Sequence, residues 1–172
     1  MEFYEAVQKR LSVRSYKPDP IPEDVLARIL EAGRLAPSAK NYQPWKFIVV
    51  KDPDVRKALV PACLGQASVG EAPVVICGCA IEEKVWKRMG GYWSAEAVDL
   101  AIAMEHMILA ATAEGLGTCW IGAFGEAEVR KVLAIPDGVK PIALTPLGYP
   151  ARESKPRDRK PLSEIVCHDK YA

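Results

Sequence analysis

The stretch Ser94–Gly117, SAEAVDLAIAMEHMILAATAEGLG, decides the fold. Ser94 is a favourable N-cap, Glu96 falls in the first turn where the helix dipole favours an anion, and Gly115 and Gly117 are natural stops. One helix of about twenty residues is predicted between them. Projected at 100° per residue, Glu96, Asp99, His106 and Glu114 gather on a narrow polar stripe, and almost all the rest is aliphatic. Such a helix is expected to be buried nearly all round. Asp99, Glu105 and His106 in its interior argue against a bilayer, so it reads as the centre of a soluble core or of a dimer interface. Glu105 lies opposite the stripe, where it meets a partner group or a subunit boundary.

Around this helix the composition suits one domain. The chain has 172 residues, 49% apolar and 26% charged, with a formal net charge of +1. Balanced charge makes nucleic acid and anionic membrane poor partners, and any anion site must be local. No charged-then-apolar leader opens the chain, so a cytoplasmic protein is expected. The five cysteines, Cys63, Cys77, Cys79, Cys119 and Cys167, include no C-x-x-C, which suits reduced thiols. Cys77 and Cys79 are expected on one face of a strand. Only two histidines occur, His106 and His168, and neither is near a second ligand motif, so no catalytic metal is expected.

Working outward from the helix towards the N-terminus, Glu2 to Arg10 has Phe3, Val7 and Leu11 at helical spacing, and Pro22 to Gly33 buries Val25, Leu26, Ile29 and Leu30. Asp52-Pro53 caps a helix through Ala62, the segment from Cys63 to Ala72 is loop or frayed helix, and Lys46 to Lys51 and Val74 to Ala80 read as strands. Ile81 to Trp93 is an excursion carrying Trp86, Tyr92 and Trp93, either a pocket wall or a packed cap. After the helix come a strand over Gly117 to Gly125 ending in small residues, a short helix Glu126–Leu133, and a strand Val139–Gly148 broken by Pro146. The basic, proline-rich tail from Tyr149 is expected to lie across the core or a partner subunit.

Two stretches have chemical potential. Arg10-Leu11-Ser12-Val13-Arg14-Ser15-Tyr16 places two guanidiniums and two hydroxyls on backbone leaving a helix, an array able to fork onto phosphate oxygens. A helix C-terminus also attracts arginine through its dipole, so both readings stand on the residues alone. Ala36-Pro37-Ser38-Ala39-Lys40-Asn41-Tyr42-Gln43-Pro44-Trp45 is either a functional loop or a surface turn with Trp45 as a core plug.

Taken together and in order, R-L-S-V-R-S-Y, A-P-S-A-K-N-Y-Q-P-W, A-P-V-V-I, G-L-G-T-C-W-I-G-A-F and R-D-R-K-P-L-S-E-I-V resemble the FMN-dependent nitroreductase family across essentially the whole chain. The resemblance implies an α+β fold: a mixed, mainly antiparallel sheet surrounded by helices, in an intertwined homodimer. It implies a single domain over residues 1–172, the long helix at the subunit interface and 149–172 as an extension on the partner. It implies that Arg10, Leu11 and Ser12 hold the FMN phosphate with Arg159, and Arg157 as a weaker contributor. Arg14 is implied near the flavin N1 and O2 edge, where reduction collects negative charge that a guanidinium stabilises. Pro37, Ser38, Ala39 and Asn41 are implied to reach the flavin from the second subunit, Gly122 and Ala123 to present backbone near N5, and Gln66 to read the pyrimidine. No acid-base dyad is needed, because chemistry occurs at N5. The implied activity is ping-pong hydride transfer from NADH or NADPH to nitroaromatic, quinone or flavin acceptors. Reductive dehalogenation or flavin fragmentation on the same scaffold, or flavin or nucleotide binding without turnover, are the alternatives.

Overall fold

In the computed structural model, which describes residues 1–171, four strands form one sheet in the order β1-β2-β4-β3, every strand pair antiparallel. The strands are β1 (Trp45–Val50), β2 (Val74–Ile81), β3 (Gly117–Thr118) and β4 (Val139–Gly148). The helices are α1 (Phe3–Lys9), α2 (Glu23–Arg34), α3 (Pro53–Ala62), α4 (Ser68–Glu71), α5 (Glu96–Ala113) and α6 (Glu126–Leu133). A parallel bridge from Ser12 to Thr118 makes the sheet mixed at its β3 edge.

The strand period of two divides β2 between two cores. Val75, Cys77 and Cys79 join Leu59, Val129 and Leu144 beneath α3 and α6; Val74 and Ile76 join Ile29, Leu100, Met104 and Met107 beneath α2 and α5. Cys77 and Cys79 do share a face, with their sulfurs 3.7 Å apart and unbridged. Gly78 lies where α5 crosses the sheet: a Cβ there would stand 2.8 Å from Met104 Sδ and 3.1 Å from Leu100 Cδ2. The missing side chain sets how closely helix and sheet approach.

The central helix starts later than Ser94. Ala95 is its N-cap, with helical φ/ψ and no side-chain bond, and hydrogen bonds its carbonyl to Asp99 N–H. Its end follows the glycine signal: Gly115 takes φ +79, Leu116 N–H donates to Ala111 O (2.8 Å) and Gly115 N–H to Thr112 O (3.0 Å), a paired Schellman arrangement. The predicted polar stripe does not face solvent as a unit. Glu96 pairs with Lys140, Glu114 is forked by Arg28, Asp99 is buried, and His106 is exposed. Nor is the helix buried all round. Ala97, Val98, Glu105 and His106 form an outward strip, with Ala101, Ile102 and Leu109 half-buried beside it.

Further departures have local causes. The predicted strand after Gly117 pairs for two residues only, then rejoins β4 through a single bridge, Ile121 to Leu144. Pro146 does not break β4. Leu144 exchanges both backbone bonds with Ile121 (2.8 and 3.0 Å), so Pro146, two residues on, has its donorless nitrogen on that same side, away from β2, and its register with Val75 is intact. Pro141 does face β2, and there the register slips, leaving Ile142 unopposed between Gly78 and Cys79. In α1 only Ala6 is buried, and Phe3, Tyr4 and Val7 are exposed. The tail from Ala151 to Tyr171 is exposed apart from a half-buried Ser154, and does not cover the core. Among the described residues no helix is long and apolar enough to cross a membrane, and no cluster of three or more His, Cys, Asp or Glu could hold a metal ion.

Candidate functional site

The basic turn is held against the β3 edge. Arg10 is the C-cap of α1, its N–H bonded to Ala6 O, and with φ −60 and ψ 117 the chain leaves extended. Val13 N–H then donates to Thr118 O at 2.8 Å, and Tyr16 OH donates to Val13 O at 2.7 Å. Extended backbone alternates its side chains, so buried Val13 fixes Ser12 and Arg14 on the other side.

That outward side opens on a cavity of about 410 Å³, where Arg10, Ser12 and Arg14 meet Arg157 and Arg159 of the tail. Leu11 contributes the apolar wall. The guanidiniums are unneutralised: among the described residues none of the four is in an ion pair. Arg14 reaches only Ser12 O at 3.5 Å, and Arg159 only the carbonyls of Arg157 and Asp158 at 3.1 and 3.3 Å. By contrast Arg28, Arg34 and Arg130 are all matched to carboxylates. Arg10, Arg14, Arg152, Lys155, Arg157 and Arg159 line this hollow against a single carboxylate, Glu153; that excess of positive charge makes an anion site, and forked guanidiniums beside a hydroxyl suit a phosphate. Arg152 lines the same cavity and was not singled out from the sequence; its one signal is the basic character of the tail.

Glu105 tempers this field. It lines an adjoining hollow with Arg10, Arg157 and Arg159. Crowding on that side of α5 pushes its carboxyl above the usual range, against the opposing pull of Arg10 and His106. Cys119 lies just under the turn beside Ser12 and Arg14, and burial raises its thiol despite both neighbours.

From Thr118 the backbone continues past Trp120, which is 41% exposed, to the exposed pair Gly122–Ala123. Four residues of extended chain span roughly 13 Å. Gln66 Nε2 donates to Ala123 O at 3.1 Å and to Cys63 O at 3.0 Å, so this amide braces the segment from behind. Gln66, expected to read the flavin pyrimidine, has its side-chain NH2 engaged by protein backbone. The basic cavity and the exposed small residues are therefore joined by one short run of backbone.

The remaining predicted residues lie elsewhere. Pro37, Ser38, Ala39 and Asn41 belong to a tight turn at the N-terminal end of α5, where Ala39 packs by the cluster of Ala80, Val85 and Ala95. The basic turn is beside the C-terminal half of that helix, and 18 residues of helix span about 27 Å. Within one chain these two groups do not converge.

The model of the nitroreductase family matches residues 7–75 and 65–149, spanning both the basic turn and the Gly122–Ala123 strip. The chain belongs to the nitroreductase family. As a nitroreductase-family protein it is 36% identical to a protein named NADH dehydrogenase from Thermus thermophilus, over 94% of this chain and 93% of that one. It is 30% identical to the FMN reductase [NAD(P)H] of Bacillus subtilis, over 99% of this chain and 74% of that one. The crystal structure of a nitroreductase family protein from Clostridium difficile 630 superposes with a TM-score of 0.91 at 31% identity, covering 99% of this chain and all of that one. The nitroreductase fold expected from the motifs is the fold observed.

Proposed function

We propose that the chain is an FMN-dependent NAD(P)H oxidoreductase acting as a homodimer, passing hydride through the flavin to nitroaromatic, quinone or flavin acceptors in a ping-pong cycle. The observation that carries the reading is the cavity where Arg10, Arg14, Arg157 and Arg159 meet beside Ser12, none of them in an ion pair among the described residues and Glu153 the one carboxylate in the lining. That donor set fits a phosphomonoester, and the strip to Gly122–Ala123 offers an exposed backbone on which a flat ring can lie. FMN, when bound, supplies the hydride-accepting and hydride-donating atom.

The chain's own residues do the rest. Arg10, Ser12 and Arg159 bind the phosphate, with Arg157 adding charge. Arg14, one residue removed and free of ion pairs, offers a fixed cation where negative charge collects on reduction. Gly122 and Ala123 present backbone to the ring, and Gln66 stiffens that backbone through Ala123 O. The turn from Pro37 to Asn41 serves the site of the second subunit, since in its own chain it is at the other end of α5.

Dimerisation is supported by what the single chain leaves open. The strip of α5 around Val98, the α1 residues Phe3, Tyr4 and Val7, and the tail residues Leu162, Ile165 and Val166 are apolar and exposed. The outer edge of β1 carries no strand, and beside it Leu30, Trp45, Phe47 and Val49 line a groove of about 520 Å³. A partner's tail placed there would bury both surfaces.

The test is a visible spectrum of the purified protein, without oxygen, before and after NADH and then NADPH. Flavin bands that bleach and return with a quinone or nitroaromatic are expected. A protein that stays colourless in excess FMN would refute the cofactor, and a bound flavin that neither nicotinamide reduces would refute the reductase.

A further inference from the structure

Asp99, the fourth residue of α5, is 3% exposed. Its Oδ1 accepts the Ala39 N–H at 3.0 Å from 60 residues away in sequence, and its Oδ2 has no partner among the described residues. A buried carboxylate with one oxygen unserved is costly, and the helix dipole at the first turns of α5 offsets only part of that cost. Core packing alone gives no reason for an acid at this position.

The turn that Asp99 grips does give a reason. Lys40, Asn41 and Gln43 take φ of 52, 57 and 49, the left-handed region, and none is glycine. Strain of this kind persists only where surrounding contacts over-determine the backbone, and it concentrates where a segment must be presented in one conformation. Inside the turn the bonds are local: Gln43 N–H to Ser38 Oγ (2.9 Å), Asn41 N–H to Ser38 O (2.9 Å) and Tyr42 N–H to Ala39 O (3.1 Å). These define its shape but not its place. The bond from Asp99 ties it to the rigid helix, and a charged acceptor makes that tie stronger than a neutral one.

We infer that Asp99 is a positioning residue of the cofactor site, holding Ala39 so that Pro37–Asn41 meets the flavin ring of the second subunit in a single conformation. The inference rests on the proposed FMN reading. It gives a signature distinct from that of the phosphate cluster. Loss of the tie should weaken FMN and riboflavin alike, because the turn serves the ring and not the phosphate.

The experiment measures FMN and riboflavin dissociation constants by flavin fluorescence quenching, with amide hydrogen exchange of residues 38–43 and melting temperature in the flavin-free protein. Asp99→Leu, which keeps the branching of the side chain and removes the acceptor, should weaken both flavins roughly 10-fold or more and deprotect the turn. Asp99→Asn, which keeps a neutral acceptor, should recover most of that loss, to within about 5-fold of the parent. Should Asp99→Leu fail to fold, Ala39→Pro carries the test by deleting the donor from the half-buried turn instead; Ser38 is extended, with φ −143 and ψ 160, as a residue before proline requires. Where all variants fold, the Leu and Pro changes together should cost no more than either alone, since both remove one bond. A folded variant lacking the bond that binds both flavins as tightly as the parent overturns the inference, as does a lower melting temperature with unchanged affinities. If the parent binds no FMN, the cofactor reading falls and the assignment of Asp99 falls with it; if the parent binds and the variants match it, only Asp99 loses its role.

Discussion

Replacing Arg10 by alanine separates phosphate recognition from every other demand on the site. Arg10 makes no ion pair among the described residues, so its loss should leave the melting temperature of the flavin-free protein within about 1 °C of the parent, as for ordinary surface changes. What it loses is a forked, charge-assisted contact to a phosphate, worth about 1.5–3 kcal/mol. At 1.4 kcal/mol per decade, that predicts FMN affinity lower by roughly 10- to 150-fold. The neighbouring Arg14, Arg157 and Arg159 keep much of the field, so the lower half of that range is expected. Riboflavin, which has the ring and ribityl chain without the phosphate, should bind parent and variant equally. Fluorescence quenching titrations of both ligands against both proteins decide the matter. Equal losses for FMN and riboflavin, or none for FMN, would refute the assignment of this cavity to phosphate.

Three other perturbations test separate parts of the structure. Glu105→Gln removes a negative charge beside Arg10 and should tighten FMN by up to about 5-fold, the scale of a partly screened pair. The carboxyl of Glu105 is raised in the folded chain, so the native state holds its proton more tightly than the unfolded one and stability falls as pH rises through the carboxyl's titration. The melting-temperature advantage of Glu105→Gln should therefore be present at pH 7 and vanish at pH 4; an advantage that grows on acidification would contradict this. Gly78→Ala places a methyl group against Met104 and Leu100 in the tightest helix–sheet contact and should cost about 1–3 kcal/mol, several degrees in a thermal melt. Asp52→Ala removes the acceptor for Asp54 and Val55 N–H at the start of α3 (2.8 and 3.1 Å), a loss of about 1 kcal/mol in chemical denaturation, with FMN affinity untouched.

Local chemistry was the legible part of the chain. Asp52 announces α3 because a carboxylate followed by Pro53 satisfies orphan amides within three residues, and Glu126–Leu133 and Val139–Gly148 were read to the residue. Gly115 ends α5 by a conformation that other residues resist. What stayed hidden depends on neighbours distant in sequence. Periodicity assigns Asp99 to a face of α5 but cannot say that Ala39 waits there, so it read as one member of a narrow polar stripe with Glu96, His106 and Glu114. Pro146 looks like a strand breaker until the side of its missing donor is known, and only the Ile121–Leu144 bridge reveals it. In the site, the charge cluster of Arg10 and Arg14 was visible, and the family resemblance favoured a phosphate role over helix capping; the tail arginines lining the same cavity are consistent with that role. The length of α5, outlined by the signals at Ser94 and Gly115, separates the Pro37–Asn41 turn from that cavity, but which end of the helix the turn occupies is set by the packing of Ala39, far away in sequence.

The two margins of the sheet differ in how they would behave in a crowded solution. Along the side of β4 away from β2, Pro146 withholds a donor and the short run from Gly117 to Ile121 occupies part of the edge, so an approaching strand finds an incomplete ladder. β1 has no proline between Trp45 and Val50, and its stacked Trp45 and Phe47 rings add apolar surface at the margin. Growth of the sheet is thus permitted on one margin and discouraged on the other. A chain of this design tolerates concentration only while that margin is occupied, and is prone to self-association through it when it is bare.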